Sequence, residues 1–244
     1  MHTSGNNIDT AVVLAAGYGK RLWPHTKSTP KPLLKFQNTP IIDTIFEALF
    51  RAKIENVIVV VGYLNEVMES YLSSKYKELF KLSFVKQTSI AGSAEGLESA
   101  RTTILNTTKQ SFLITASDYF LKAHHFTNLI DFHENGYHDI TVSLRRIALN
   151  KVAESSYIDL NDANTITCIH EKSTTYDRDS DPIAASLIYI LPIMALNFLP
   201  LVCVSSRGEK ELPNLINILI ENNMITKGLM QDQIPDWESH YRHH

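Results

Sequence analysis

Cysteine and blocks of like charge are scarce in this sequence of 244 residues. Its two cysteines, Cys168 and Cys203, are too few and too far apart to indicate a disulfide framework or a metal knuckle. The 23 lysines and arginines nearly balance the 26 aspartates and glutamates, so no basic surface for nucleic acid is predicted. The chain also has no internal repeat, low-complexity tract or linker. We therefore expect a single domain.

Long uninterrupted hydrophobic runs are missing as well. Residues 184–204 are mostly apolar, but Pro192, Asn197 and Pro200 interrupt them, which favours a buried strand followed by a short helix over a membrane span. Residues 1–7 are polar and lack the apolar segment of a signal peptide. A cytoplasmic protein without a membrane partner is the expectation.

What the sequence does contain is an alternation of strands and helices. Short all-apolar runs predict strands that are buried on both faces, and apolar residues at helical spacing predict the helices between them. The pattern predicts an α/β fold with a doubly wound, mostly parallel mixed sheet, whose ligands bind at the carboxyl ends of the strands. In the first part of the chain, strands are predicted at residues 10–14, 57–61, 82–86 and 112–115, and helices at 41–52, 64–76, 93–104 and 123–135. In the second part, strands are predicted at residues 140–145, 157–160, 165–170 and 184–191, and a helix at 212–222.

The first strand runs into a glycine-containing loop with two cations nearby. Gly17 and Gly19 let the backbone approach a ligand and offer N–H donors to anionic oxygens, while Arg21 and Lys31 supply positive charge. The loop lacks the spacing of a Walker A motif and the third glycine of a Rossmann fingerprint. Three prolines also exclude a helix directly after it. The loop therefore predicts a site for a nucleoside triphosphate.

This segment resembles the signature of the sugar-1-phosphate nucleotidyltransferases, L-A-A-G-x-G-[ST]-R-[LM]-x-P followed by P-K-P-[LM]. The resemblance covers nearly the whole chain and is sharpest in the first half. It implies a Rossmann-like nucleotidyltransferase fold, with residues 1–138 as the nucleotide-binding half and 139–244 as the acceptor-binding half of one domain. The residues that it implies for nucleotide binding are Leu14, Ala15, Ala16, Gly17, Gly19, Lys20 and Arg21. Lys20 departs from the family, which has serine or threonine there.

Gln87 and Gly92 form a second motif, five residues apart at a strand–helix junction. A glutamine amide has a donor and an acceptor and can pair with a pyrimidine edge, and family members that use UTP or dTTP have a similar pair. The alternative is a surface glutamine and a capping glycine. The motif predicts UTP or dTTP as donor, with CTP the nearest competitor.

Asp118 follows the strand at 112–115, where the family has an aspartate that holds the catalytic magnesium. A carboxylate at this edge of the sheet suits Mg²⁺, although it could also cap the following helix. For the second metal ligand we expect Asp236, with Asp232 in reserve. Either of these could instead cap the last helix.

The acceptor side departs from the family pattern. Glu171 and Lys172 resemble a Glu-Lys pair that contacts the sugar and its phosphate, although an exposed ion pair is the alternative. Ala184-Ala185-Ser186-Leu187-Ile188-Tyr189 lacks the asparagine and glycine of the family's Asn-x-Gly-Ile-Tyr strand, and Ser156 replaces another glycine. A hexose is therefore a less secure expectation than another small phosphorylated or phosphonate acceptor.

Together these features predict a Mg²⁺-dependent nucleotidyltransferase. Its catalytic residues would be Arg21, Lys31 and Asp118, and its substrates a nucleoside triphosphate and a sugar-1-phosphate or similar small phospho-acceptor. An oligomer is possible. The alternative is a nucleotide-binding regulatory protein of the same fold with little or no turnover.

Overall fold

A nine-stranded mixed sheet forms the centre of the protein, of which the computed structural model describes residues 8–172, 176 and 182–242. The strands of this sheet are β1 (Thr10–Ala15), β4 (Asn56–Val61), β5 (Lys81–Lys86), β6 (Ser111–Ala116), β7 (Ile140–Arg146), β8 (Ser156–Leu160), β9 (Ile166–Glu171), β10 (Ile183–Pro192) and β11 (Thr226–Met230). Two further short strands, β2 (Lys35–Phe36) and β3 (Thr39–Pro40), pair only with each other.

The main path of the sheet runs β11-β7-β10-β6-β1-β4-β5. The pairs β1–β4, β1–β6, β4–β5 and β7–β11 are parallel, whereas β10 is antiparallel to both of its neighbours on the path. The hairpin of β8 and β9 joins through β10. The predicted doubly wound, mostly parallel mixed sheet is confirmed.

Helices cover both faces of the sheet. They are α1 (Ile41–Arg51), α2 (Asn65–Tyr76), α3 (Ser93–Thr107), α4 (His124–Glu134), α5 (Leu212–Glu221) and the terminal turn α6 (Ser239–Arg242). In α1, Ile42, Ile45, Phe46 and Leu49 recur at helical spacing and are fully buried, which is the pattern that predicted this helix. One core holds residues of α1, α2 and α4, and the other holds residues of α3 and α5.

Strand β11 is the strand of the nine-stranded sheet that the sequence analysis did not predict. Its five residues include only two large apolar side chains, and Gly228 lies in the middle. The strand forms because its backbone pairs in parallel with β7 at the edge of the sheet. A Cβ atom at Gly228 would overlap the Leu144 side chain, so the glycine permits this close packing.

The apolar segment at 184–204 is a strand followed by a helical turn, as predicted. It forms β10 and the 3-10 helix Ile193–Leu201, which begins directly after Pro192. Among the described residues, no helix is both long enough and apolar enough to cross a bilayer.

Gly92 lies where α3 begins and meets the backbone of a distant segment. Its φ is +111°, and a Cβ atom there would overlap the Lys210 carbonyl oxygen. That oxygen accepts a hydrogen bond from the Ala94 N–H at 3.0 Å, and the Lys210 N–H donates to Ala91 at 2.8 Å. The glycine therefore lets α3 start against the segment that precedes α5.

Gly92→Ala should lower the free energy of unfolding by about 2 kcal/mol or more, because a strained φ and an overlap coincide. Gly17→Ala is the matched control, since a Cβ atom at Gly17 meets nothing within 4 Å. Denaturant unfolding of both variants measures the difference. Equal stability of the two would show that the contact with Lys210 relaxes without cost.

Candidate active site

The loop after β1 turns back on itself and packs against the segment that carries Lys31. Gly19 has a φ of +63°, and a Cβ atom there would lie 3.1 Å from the Lys31 Cβ. The Gly19 carbonyl accepts a hydrogen bond from the Thr26 hydroxyl at 2.9 Å. Gly17, by contrast, faces open space, which leaves room for a ligand beside the backbone.

A cavity of about 520 Å³, the nucleotide cavity, lies above this loop. Of the residues predicted for the nucleotide site, it brings together Leu14, Ala15, Gly17, Gly19, Lys20, Arg21, Lys31 and Asp118. Ala16 is buried beneath the loop, where its carbonyl accepts from the Tyr63 N–H. Lys20 lies over the Tyr18 ring, with its Nζ 4.9 Å from the ring centroid.

Lys31 lies between two carboxylates. Its Nζ contacts the Asp118 Oδ2, and lies 2.5 Å from the Glu238 Oε1. Burial lowers the pKa of Lys31, but Asp118 and Glu238 outweigh burial and raise this pKa above its usual value. Burial likewise opposes the ionised form of Glu238, yet the Lys31 ammonium lowers the pKa of Glu238 to about 2. Lys31 and Glu238 are therefore both charged near neutral pH.

Glu238 is a site residue that the sequence analysis missed. The Trp237 indole, 2% exposed, donates to the Asp118 carbonyl at 2.7 Å and so fixes the C-terminal segment at the end of β6. Asp236 is exposed on the wall of an adjoining cavity, and Asp232 pairs with Lys122 at 2.7 Å. The sequence analysis had already selected this segment for the second metal ligand, and Glu238 lies only two residues after the predicted Asp236. The metal role of Asp236 stays a prediction.

Gln87 and Gly92 lie next to each other at the start of α3. The buried Gln87 amide donates to the Ser89 carbonyl at 2.9 Å and to the Gly92 carbonyl at 3.3 Å. These hydrogen bonds hold the loop between β5 and α3, and neither residue lines the nucleotide cavity. Recognition of a base by this pair stays a prediction.

A second cavity of about 280 Å³, the acceptor pocket, shares Asp118 with the nucleotide cavity. Glu171 and Lys172 both line it, together with Ala185 and Leu187 of the altered strand. The Lys172 Nζ lies 3.5 Å from the Glu171 Oε1, so the ion pair that was the alternative interpretation is present within the pocket. Their contact with an acceptor stays a prediction.

Five further charged residues of the acceptor pocket were missed: Arg145, Glu154, Arg207, Glu209 and Glu211. Arg145 lies near the carboxyl end of β7, the position at which such sheets bind ligands, and that position was the available signal. Within the described part of the chain, no carboxylate lies within ion-pair distance of Arg145. Arg207 and Glu211 come from the segment before α5, where no motif pointed to a site.

A parallel-sheet edge with a glycine loop, a lysine held by carboxylates and two joined cavities is the architecture of an α/β nucleotide-binding protein. The sequence model of the nucleotidyl transferase family matches residues 10–237. The chain therefore belongs to the nucleotidyl transferase family, which confirms the resemblance.

Individual relatives differ in their substrates. The chain is 38% identical over 142 residues to mannose-1-phosphate guanylyltransferase catalytic subunit beta of Drosophila melanogaster, covering 58% of this chain and 38% of that protein. It is 46% identical over 74 residues to 2-aminoethylphosphonate cytidylyltransferase of Lancefieldella rimae, covering 30% of each. These matches thus span well under half of the relatives' lengths.

Among solved structures, a UDP-glucose pyrophosphorylase in complex with UDP-glucose superposes with a TM-score of 0.85. That alignment covers 97% of this chain and 96% of the other, at 20% identity. At this identity the likeness establishes the shared fold.

Glu238→Gln should destabilise the protein by about 2 kcal/mol at pH 7, because it leaves the buried Lys31 with one carboxylate fewer. The pKa of Glu238 is about 2 in the folded protein against 4.5 ordinarily, so its contribution is full above pH 4.5 and is lost as the pH falls towards 2. Denaturant unfolding of the unmodified protein and of the variant between pH 2 and 7 measures whether their stabilities become equal as the pH falls. A difference that is independent of pH would contradict the ion-pair interpretation.

Proposed function

We propose that the protein transfers a nucleotidyl group from a nucleoside triphosphate to a small phosphorylated or phosphonate acceptor and releases pyrophosphate. The observation that carries the proposal is the position of Lys31 and Asp118, which lie together where the nucleotide cavity meets the acceptor pocket. A reaction between two bound phosphate groups requires positive charge at such a junction.

In the proposed reaction an oxygen of the acceptor forms a bond to the α-phosphorus. The bond from the α-phosphorus to the bridging oxygen breaks, and the electron pair leaves with pyrophosphate. The acceptor oxyanion is already nucleophilic near neutral pH, so no general base is needed. Catalysis then consists of positioning the two groups and stabilising charge.

Arg21 and the loop amides of Gly17 and Gly19 are placed to hold the β- and γ-phosphates. Arg21 is exposed in the nucleotide cavity and, among the described residues, has no carboxylate within ion-pair distance. Lys31 is placed to lie between the α-phosphate and the acceptor, where its charge offsets their repulsion.

Asp118 and Glu238 fit a magnesium ion. Both carboxylates contact the same ammonium, so two hard oxygen ligands already face one cationic position. No group of three or more potential metal ligands occurs in the described ranges. Two protein carboxylates suit Mg²⁺, which keeps waters and binds substrate phosphates. When bound, the ion would polarise the α-phosphate and neutralise the leaving pyrophosphate.

For the donor we propose a pyrimidine triphosphate, UTP, dTTP or CTP. The support is the spacing of Gln87 and Gly92 in the sequence, together with a relative that is named a cytidylyltransferase. For the acceptor, the departures at Ala185 and Leu187 favour a small phosphate or phosphonate over a hexose phosphate.

A matrix of five triphosphates (ATP, GTP, CTP, UTP and dTTP) against sugar phosphates and small alkyl phosphates and phosphonates tests the proposal by pyrophosphate release. We expect a pyrimidine triphosphate to be used best, and glucose-1-phosphate to be a poor acceptor. A clear preference for GTP would contradict the assignment of the base but not the reaction. No pyrophosphate from any pair, with triphosphate still bound, would indicate the regulatory alternative.

Asp118→Asn and Glu238→Gln should each lower kcat by about 100-fold or more, because each removes a charged ligand of the proposed metal. Asp131→Asn, an exposed aspartate on α4, is the control and should retain activity. Magnesium titrations of pyrophosphate release measure the effect. If Asp236→Asn lost activity while Glu238→Gln remained active, Asp236 and not Glu238 would be the second metal ligand.

A further inference from the structure

The acceptor pocket contains a carboxylate that is nearly inaccessible and only partly paired. Glu211 precedes α5 and is 3% exposed. Its Oε1 accepts from the Arg207 guanidinium, but its Oε2 is buried without a hydrogen-bond partner. A buried carboxylate oxygen without a donor is costly, so this atom is suited to a ligand that donates.

A second carboxylate lies beside it. The Glu171 Oε1 accepts from the same Arg207 nitrogen at 3.0 Å, and its Oε2 accepts from the Ser156 hydroxyl. Burial and then the negative charge of Glu171 raise the pKa of Glu211 to about 6, against the effect of Arg207. Arg207 and Lys172 both pair with Glu171, whereas in the described part of the chain Arg207 alone pairs with Glu211, so a positive charge on the ligand would complete the compensation of Glu211.

Carboxylates outnumber basic side chains five to three along the pocket wall, but Lys31 pairs with Asp118 and Lys151 pairs with Glu154. Glu211 is the pocket carboxylate that keeps a buried oxygen without a donor among the described residues. A hydroxyl group could donate to the Glu211 Oε2, but only a cation supplies both the donor and the charge.

Within the described ranges, the pocket also contains a cation without an ion-pair partner. Arg145 lines both the acceptor pocket and the adjoining cavity that holds Asp118, Arg21 and Glu238, so it lies on the side of the pocket nearest the reacting groups. Its Nε is buried without a hydrogen-bond partner. Lys172, in contrast, is already paired with Glu171.

We infer that the acceptor is a small zwitterion, with a primary ammonium held by Glu211 and Glu171 and a phosphate or phosphonate held by Arg145. The inference rests on the proposed function, and it adds the chemical class of the acceptor. The pocket volume of about 280 Å³ suits a short linker between the two charged ends.

Two pairs of acceptors of equal shape test the inference: 2-aminoethyl phosphate with propyl phosphate, and 2-aminoethylphosphonate with propylphosphonate. Within each pair, one acceptor has an ammonium group where the other has a methyl group. Comparison of the two pairs shows whether the protein uses a phosphate or a phosphonate better. With the best triphosphate, kcat/KM should favour the amine by about 100-fold. Equal use of amine and methyl acceptors, or better use of glucose-1-phosphate, would overturn the inference.

Variants test separately the residues that we propose for the ammonium end and for the phosphate end of the acceptor. Glu211→Gln should lower the preference for the amine about tenfold or more, whereas Arg145→Gln should lower kcat/KM for both members of a pair alike. Glu221→Gln, at the exposed far end of α5, is the matched control and should leave the preference intact. An unchanged preference in folded Glu211→Gln would overturn the role of that residue. Glu171→Gln provides the second test if Glu211→Gln does not fold.

Calorimetric binding of the same acceptors distinguishes failure of this inference from failure of the proposed function. If no acceptor gives pyrophosphate, the transfer reaction is wrong, but tighter binding of the amines than of their methyl counterparts would still support a zwitterion site. Equal binding of the two, or no binding of either, would overturn it.

Discussion

The buried ion pairs of Lys31 hold the active site together. Asp118 follows β6, Lys31 lies in the segment after the glycine loop, and Glu238 comes from the C-terminal segment. Only 12% of the Lys31 side chain is exposed, so loss of either carboxylate would leave an ammonium poorly compensated away from water. The three segments are therefore mutually dependent, and the Trp237 hydrogen bond to Asp118 strengthens that dependence.

The same ion pairs explain why a binding site and a stable fold coexist here. Asp118 and Glu238 are the oxygen ligands that we propose for magnesium, and they would hold the ion where they now contact Lys31. The Lys31 ammonium, next to the loop that carries Gly17 and Gly19, would face the phosphate groups. Charges that stabilise the protein without substrate are thus the charges that the proposed reaction uses.

Local sequence patterns predicted most of this fold, because buried parallel strands and amphipathic helices have distinct apolar periods. They failed at β11, whose pairing with β7 depends on tertiary contact rather than on its own residues. The glycine loop and Asp118 were predictable for a similar reason, since each follows a strand. The end of a strand also marked Arg145, and proximity to Asp236 marked Glu238. Glu211 had no such signal, because a lone charged residue has no pattern until folding brings it to a neighbour.

The acceptor pocket differs from the family pattern in the strand residues that it lacks, and it also has charged residues that the sequence analysis did not select. Ala185 and Leu187 remove hydrogen-bonding groups from one wall, which by itself indicates only a poorer fit for a sugar. The structure shows charged groups on three other elements of the pocket, with Glu171 at the end of β9, Glu211 before α5 and Arg145 at the end of β7. Apolar walls strengthen electrostatic interactions between charges because they exclude water. The loss of sugar-binding groups and the presence of carboxylates and Arg145 in one pocket therefore favour the same kind of ligand, which is small and charged at both ends.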